Sequence, residues 1–156
     1  MKKTIILFVF IFATSVAIAQ DFRNINDTII TTKEGAKKAE PKALEAANWL
    51  LTIPSKPRST NRAEALRFIN IWMLETDIYD FDYIQEEGLN ITEYIADPYE
   101  IYLAAIVKVA LENRKLTKEK VVEKATFLLG EYCAKKVNKV KAPDALKKRL
   151  EKLNKG

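Results

Sequence analysis

The sequence has 156 residues and carries 26 Lys and Arg against 21 Asp and Glu, a formal net charge of +5. It contains no histidine and a single cysteine, Cys133. These counts exclude Ser-His-Asp and Cys-His catalysis, His-ligated zinc and an intramolecular disulfide. Abundant Ala, Leu, Lys and Glu, with four Gly and five Pro, favour helical structure.

The first 19 residues have the three-part layout of a secretory signal peptide. Lys2 and Lys3 form a positive start, residues 5–12 are all apolar, and Ala17 and Ala19 form an A-x-A cleavage site. A membrane-spanning helix needs about 20 apolar residues, and this stretch is shorter. The pattern predicts cleavage after Ala19. The mature chain would be periplasmic or secreted, and the loss of both lysines would lower its net charge from +5 to +3.

Residues 20–40 are predicted to form an irregular arm, and residues 41–156 a single helical domain. Pro41 suits the first turn of a helix. Apolar residues at helical spacing follow it, until Pro54 and Pro57 end the pattern.

A second helix is predicted to begin at Thr60 or Asn61 and to run to about Tyr79, because Asn61 and Glu64 have capping-box spacing. The acidic residues 80–87 are predicted to form a turn or short helix that Gly88 stops.

Two further helix starts are predicted before the middle of the domain. Asn90 is expected to cap a short helix that ends at Ala96. Asp97 is then expected to cap a longer one, with Pro98 at its first position. Residues 101–111 are apolar except for one lysine. A helix that is apolar all round is buried all round, so this helix is predicted to be the central element of the fold.

The last two helices are predicted from Thr117 to about Val140 and from Pro143 onward. Leu146, Leu150 and Leu153 form one narrow apolar seam among Lys and Arg. The whole order indicates an all-α fold. It is either a bundle of about five helices or a short stack of helical hairpins, with an irregular N-terminal arm.

Charge is divided unevenly along the chain. Residues 68–107 carry nine acidic side chains and no Lys or Arg, whereas residues 108–156 carry fifteen basic side chains against six acidic ones. The two segments have opposite and equal net charge. Because short connections make neighbouring helices pack together, part of the acidic segment is expected to lie near the basic helices.

One part of the acidic segment is also aromatic and is the predicted partner-binding surface. Tyrosine mixed with carboxylates is typical of surfaces that bind proteins, although such rings can also be core residues. The predicted surface comprises Tyr79, Asp80, Phe81, Asp82, Tyr83, Glu86 and Glu87. A calcium loop over Asp80–Ile84 is not expected, because the third ligand and the glycine are missing.

The stretch A-L-E-A-A-N-W-L-L-T-I-P over residues 43–54 is followed by residues 61–74, whose core is F-I-N-I-W-M-L. Together they resemble a family of small uncharacterised secreted helical proteins of Gram-negative bacteria. The resemblance covers about the first half of the mature chain. It implies export and a helical fold, and it implies no activity.

The sequence therefore predicts an exported protein that is not an enzyme and that binds another protein or a cell-envelope component. A helical protein that binds a small molecule or lipid in an apolar pocket is the alternative, and a carboxylate-dependent hydrolase is a more distant one. No catalytic residue, metal site or cofactor is predicted. Nucleic acid is not an expected partner, and no transmembrane segment is expected after cleavage.

Overall fold

The computed structural model describes Phe22 and residues 30–155, so the predicted signal peptide lies outside the described residues. This part of the chain forms α-helices and no strand, which confirms the predicted all-α bundle. The helices are α1 (Lys33–Thr52), α2 (Thr60–Glu75), α3 (Phe81–Thr92), α4 (Ala96–Glu112), α5 (Lys118–Ala134) and α6 (Asp144–Leu153). A short 3-10 helix, Lys136–Asn138, lies between α5 and α6.

Helix α4 is the centre of the bundle, as its nearly continuous apolar sequence predicts. It contacts α1, α2, α3 and α5, and every residue from Ile101 to Val107 is buried. Helices α5 and α6 pack against each other, and α6 also contacts α3. The bundle thus has one helix enclosed by the others and one helix, α6, on its outer side.

Helix α1 begins at Lys33, eight residues before the predicted start at Pro41, so the predicted irregular arm is wrong for residues 33–40. Thr32 caps the helix by accepting a hydrogen bond from the Gly35 amide at 3.0 Å. The added turns bury Ala36 and Ala39. The indole of Trp72 donates to the Ala36 carbonyl at 2.9 Å. Tertiary contacts with α2 therefore stabilise a segment whose own sequence signals are weak.

Phe22 shows that the region before α1 contributes to the core. Its side chain is buried, and its ring centroid lies 5.1 Å from that of Trp49. The Lys42 ammonium lies 4.6 Å from the same ring, a cation–π distance. Ile30 is buried as well.

Helix α2 begins at Thr60, as predicted, and ends at Glu75 and not near Tyr79. Ser59, and not Asn61, caps it by accepting from the Arg62 amide at 3.2 Å. Helix α3 also differs from its predicted bounds. Gly88 lies inside α3 and does not stop it. A Cβ at position 88 would lie 2.3 Å from Cε1 of Tyr102. Glycine is present because the ring of α4 needs that space, which a local sequence pattern does not reveal. The predicted short helix capped by Asn90 is absent, since Asn90 is a residue of α3.

The start of α4 also differs in detail. Asp97 lies in the first turn and Ile95 is at the capping position without a side-chain hydrogen bond. The Asp97 carboxylate instead bonds Arg58 at 2.6 Å. An ion pair across the bundle has replaced the predicted local cap.

The predicted caps and starts near the C-terminus are largely confirmed. Thr117 caps α5, and α6 begins directly after Pro143. Helix α5 ends at Ala134 and not near Val140. There the side-chain amide of Asn138 donates to the Tyr132 carbonyl at 2.8 Å, which satisfies a backbone acceptor at the helix end.

Candidate functional site

The predicted acidic and aromatic surface is only partly a surface. Phe81 is 4 % exposed and belongs to the core, with its ring 6.0 Å from the ring of Trp72. Tyr79 is half-buried, and its hydroxyl donates to the Leu116 carbonyl at 3.0 Å. Burial raises the pKa of Tyr79 above its ordinary value. Both aromatic residues therefore hold the start of α3 in place.

Asp80 has a structural role as well. Its carboxylate caps α3 by accepting from the Asp82 amide at 3.2 Å and accepts from the Lys118 ammonium at 2.9 Å. The hydrogen bond from Lys118 lowers the pKa of Asp80 below its ordinary value. This ion pair confirms that the acidic segment lies near the basic helices.

Four further residues of the predicted surface are exposed or half-buried, besides Asp80, which is itself exposed. Asp82, Tyr83 and Glu86 are exposed on α3, and Glu87 is half-buried beside α6. Contact of these residues with a partner stays a prediction. Within the described ranges, no three acidic or cysteine side chains are grouped as metal ligands.

The most unusual backbone lies at the corner between α3 and α4. Glu93 and Tyr94 both adopt the left-handed conformation, with φ of 52° and 58°. Outside glycine this conformation costs roughly 1–2 kcal/mol per residue, and such residues concentrate at functional sites. Tyr94 is 73 % exposed and Ile95 is 48 % exposed. We name Tyr94 and Ile95 the apolar corner.

Hydrogen bonds explain how the chain keeps this geometry. The Tyr94 amide donates to the Leu89 carbonyl at 3.0 Å, and the Ile95 amide donates to the Thr92 carbonyl at 3.0 Å. Both bonds close the C-terminal end of α3, where a left-handed residue is common but is usually glycine. The turn is thus hydrogen-bonded to the end of α3, and it places the side chains of Tyr94 and Ile95 in solvent.

Glu93 has a clear structural reason for its conformation. Its carboxylate accepts a hydrogen bond from the Ala145 amide at 3.0 Å. Helix α6 has no cap of its own, because Pro143 precedes it without a side-chain hydrogen bond. The carboxylate compensates for the free amides at that helix start. Tyr94 is held by its backbone amide, and among the described residues no side-chain hydrogen bond like that of Glu93 accompanies it.

A cleft of about 280 Å³ adjoins the apolar corner. It lies between the start of α4 and the segment that leads into α6. Its apolar lining includes Ile95, Pro98, Val140, Ala142 and Pro143, and its charged lining includes Glu93, Asp97, Lys139, Lys141 and Asp144.

A cluster of ion pairs lies next to the apolar corner, at the first turns of α4. Asp97 pairs with Arg58 at 2.6 Å and with Lys56 at 3.4 Å, and Glu100 pairs with Arg58 at 3.3 Å and with Arg62 at 3.4 Å. Burial alone would raise the pKa of Asp97, but hydrogen bonds from Arg58 and Lys56 outweigh it and lower that pKa. Asp97 and Glu100 of α4 are thus paired with the loop before α2 and with α2 itself.

Cys133 lies in an environment that disfavours a reactive thiolate. The side chain is half-buried beside the core, and burial raises the pKa of its thiol to about 11. The thiol is therefore protonated at neutral pH, and the thiolate is the reactive form.

The sequence contains no signal for the apolar corner. Tyr94 is one of six tyrosines, and nothing in its neighbours indicates a left-handed backbone. Glycine or asparagine usually mark such positions, and neither is present at residues 93–95. The exposure of Tyr94 depends on the angle between α3 and α4, which only the folded chain sets.

No family model, no curated protein and no solved structure matches this chain. The resemblance of residues 43–74 to secreted helical proteins of Gram-negative bacteria therefore stays a prediction. Among the described helices, none combines the length and the apolar character that crossing a bilayer requires.

Proposed function

We propose that this protein functions by binding another protein at the apolar corner, and that its role is not enzymatic. The observation that supports the proposal most directly is Tyr94, an exposed aromatic side chain on a backbone with φ of 58°. Buried anchors in protein interfaces are enriched in tyrosine. Tyr94 fits that role, because its side chain is exposed in the isolated chain and its left-handed backbone costs free energy.

The hydrogen-bonded turn adds to the argument. A side chain presented on a fixed backbone loses less conformational entropy when it is bound than one on a mobile loop does. Tyrosine also has few rotatable bonds for its contact area. Ile95 follows directly and extends the apolar area. The corner thus has the properties of a preformed contact point.

The surroundings of the corner favour binding over catalysis. Asp97 is engaged by Arg58 and Lys56, and Glu93 by the Ala145 amide. Neither carboxylate is free to act as a general acid or base, and the sequence has no histidine.

A small-molecule pocket is the weaker alternative. The cleft beside the corner measures about 280 Å³ and has five charged residues in its lining. Ligand pockets usually enclose roughly 300–1,000 Å³ and are mainly apolar. The adjoining cleft is better suited to accept one side chain of a partner than a whole ligand.

Site-specific photocrosslinking tests the proposal. A photoreactive phenylalanine analogue is placed at position 94 and, as a matched control, at position 74, because Leu74 is 76 % exposed on α2. We expect a discrete crosslinked protein at position 94 in the cells that produce the chain, and none at position 74. The partner, once identified, is purified for binding measurements.

Tyr94→Gly then separates binding from folding. Glycine adopts positive φ without strain, so the variant should unfold at the same temperature as the wild type or higher. It should bind the partner at least about tenfold more weakly, as expected for an interface anchor. Leu74→Ala should bind normally. Unchanged affinity of Tyr94→Gly, or equal crosslinking at both positions, would contradict the proposal.

A further inference from the structure

Four lysines are exposed within the seven residues that follow α5. They form what we name the lysine loop: Lys135, Lys136, Lys139 and Lys141. Across the described part of the chain, none of the four forms an ion pair with a carboxylate. Their charges are therefore available to an external partner.

The backbone of the lysine loop is fixed to the bundle. Asn138 is buried and bonds the Tyr132 carbonyl, and its own carbonyl accepts from the Ser55 amide at 3.4 Å. Val140 is buried as well. Residues 138 and 140 thus anchor the loop, and the lysines next to them point outward. The charge is concentrated on a rigid surface and not spread along a mobile tail.

Helix α6 extends the same positive surface. Its lysines, with one in the residues that follow, are exposed: Lys147, Lys148, Lys152 and Lys155. Residues 135–155 contain nine basic side chains and two acidic ones, a net charge of +7. A hydrogen bond from Lys147, together with the charges of Lys147, Lys141 and Lys148, lowers the pKa of Asp144. Lysines of the loop and lysines of α6 therefore act together on the same carboxylate, so their positive charges form one electrostatic surface.

The apolar side of α6 is already occupied. Leu146 is buried, and Leu150 lies over Gly130 of α5, where a Cβ would be 2.7 Å from its Cδ1. Ile91 of α3 lines the groove on the other side of α6. Helix α6 therefore cannot insert an apolar face elsewhere without leaving the bundle, and any association through this surface is electrostatic and peripheral.

We propose that the lysine loop and the exposed side of α6 bind the surface of a bilayer that contains anionic phospholipid. Clusters of about four to eight basic residues on an amphipathic helix are typical of such surfaces. The proposal concerns different side chains from the apolar corner and does not depend on the protein-binding proposal.

Two features favour lipid phosphates over nucleic acid. Residues 135–155 contain eight lysines and one arginine, and lysine acts as a point charge without the bidentate geometry of arginine. Residues 134–156 contain no aromatic side chain, whereas single-strand binding sites stack bases on aromatic rings. The predicted signal peptide also directs the chain to compartments with abundant lipid phosphate.

Vesicle co-sedimentation of residues 20–156 tests this inference. Vesicles of phosphatidylcholine are compared with vesicles in which an increasing fraction is phosphatidylglycerol. We expect binding that rises with the anionic fraction. It should be lost as salt increases from about 0.1 M to about 1 M, because the screening length falls from about 10 Å to about 3 Å. Equal binding to neutral vesicles, or none to anionic ones, would overturn the proposal.

A pair of charge-matched variants locates the site. The first changes Lys135, Lys136, Lys139 and Lys141 to Gln, and the control changes the exposed residues Lys37, Lys115, Lys120 and Lys124 of α1 and the α5 region to Gln. Each lysine near a membrane contributes about fivefold in affinity, so the loss of all four should weaken binding by roughly 600-fold, and the control should lose far less. Equal losses would show that net charge alone acts and would contradict the site.

Two further measurements keep the result interpretable. Circular dichroism should show the same helicity and unfolding temperature for both variants, since all the substituted side chains are exposed or half-buried. Tyr94→Gly should bind vesicles as the wild type does, which distinguishes this surface from the apolar corner. Phosphatidylglycerol vesicles should compete for the bound protein more strongly than a single-stranded oligonucleotide at equal phosphate concentration. Stronger competition by the oligonucleotide would assign the surface to nucleic acid instead.

Discussion

Helices α4 and α6 differ most in how much of their surface is buried. Helix α4 buries ten residues and is enclosed by four neighbours, whereas α6 buries only Leu146 and keeps its lysines in solvent. The apolar residues of α4 form the centre of the core. Helix α6 packs on the bundle only through a few leucines, among them Leu146 and Leu150. Stability is thus concentrated in α4, and the charged surface lies on an element that contributes less to it.

Each of the two helices also packs one side chain against a glycine of a neighbouring helix, and the two contacts differ. Gly88 of α3 faces the ring of Tyr102 on α4, and Gly130 of α5 faces the methyl groups of Leu150 on α6. The ring is rigid and fully buried, whereas Leu150 is flexible and half-buried. A glycine is therefore required at the first contact and only tolerated at the second.

The largest effect is expected from Ile106→Ala in α4. The side chain is fully buried, and truncation of a buried isoleucine costs about 2–5 kcal/mol. Chemical denaturation should show one transition shifted as a whole. Leu153→Ala at the half-buried end of α6 should cost clearly less. Equal losses at both positions would contradict the contrast between the two helices.

Gly88→Ala should have the next largest effect. The added methyl group would overlap the Tyr102 ring at 2.3 Å, and overpacking of a rigid core costs about 1–3 kcal/mol. The free energy of unfolding should fall despite the better helix propensity of alanine. A stabilised variant would show that α3 can move away from α4 at no cost.

Glu93→Ala should loosen α6 without unfolding α4. Loss of the hydrogen bond to the Ala145 amide removes a helix cap, which is worth about 0.5–2 kcal/mol. Hydrogen exchange should accelerate at the start of α6 and stay slow in α4. Glu93→Gln keeps an acceptor oxygen and is the matched control, for which a smaller change is expected.

Gly130→Ala should have the smallest effect. Alanine gains about 1 kcal/mol in helix propensity, and the Leu150 methyl group at 2.7 Å can move because it ends a flexible side chain. Thermal unfolding should therefore change by no more than about 1 kcal/mol in free energy. A loss as large as that of Gly88→Ala would mean that α6 is packed as rigidly as α4.

Local patterns in the sequence predicted a large part of the fold. The apolar run of residues 101–111 identified the central helix, because a helix with no polar face has to be surrounded. Thr117 and Pro143 marked the starts of α5 and α6 because capping and proline geometry act over a few residues. The short connections between neighbouring helices predicted that the acidic and basic segments lie close together, which the Asp80–Lys118 ion pair confirms.

Tertiary structure decided the features that depend on distant residues. Helix α1 extends to Lys33 because Trp72 and the core stabilise its first turns. Phe81, which the sequence placed on a binding surface, lies in the core beside Trp72. Gly88 lies inside α3, where the ring of Tyr102 from α4 fills the space that a side chain at position 88 would need.

The apolar corner is likewise a feature that tertiary structure decided. Composition and spacing determine that the chain forms helices, since those signals act between residues close in sequence. The left-handed backbone of Glu93 and Tyr94 lies where α3 ends against α4, beside the hydrogen bond that the Glu93 carboxylate accepts from the Ala145 amide of α6. Those contacts join residues up to 52 positions apart, so only the folded chain could determine them.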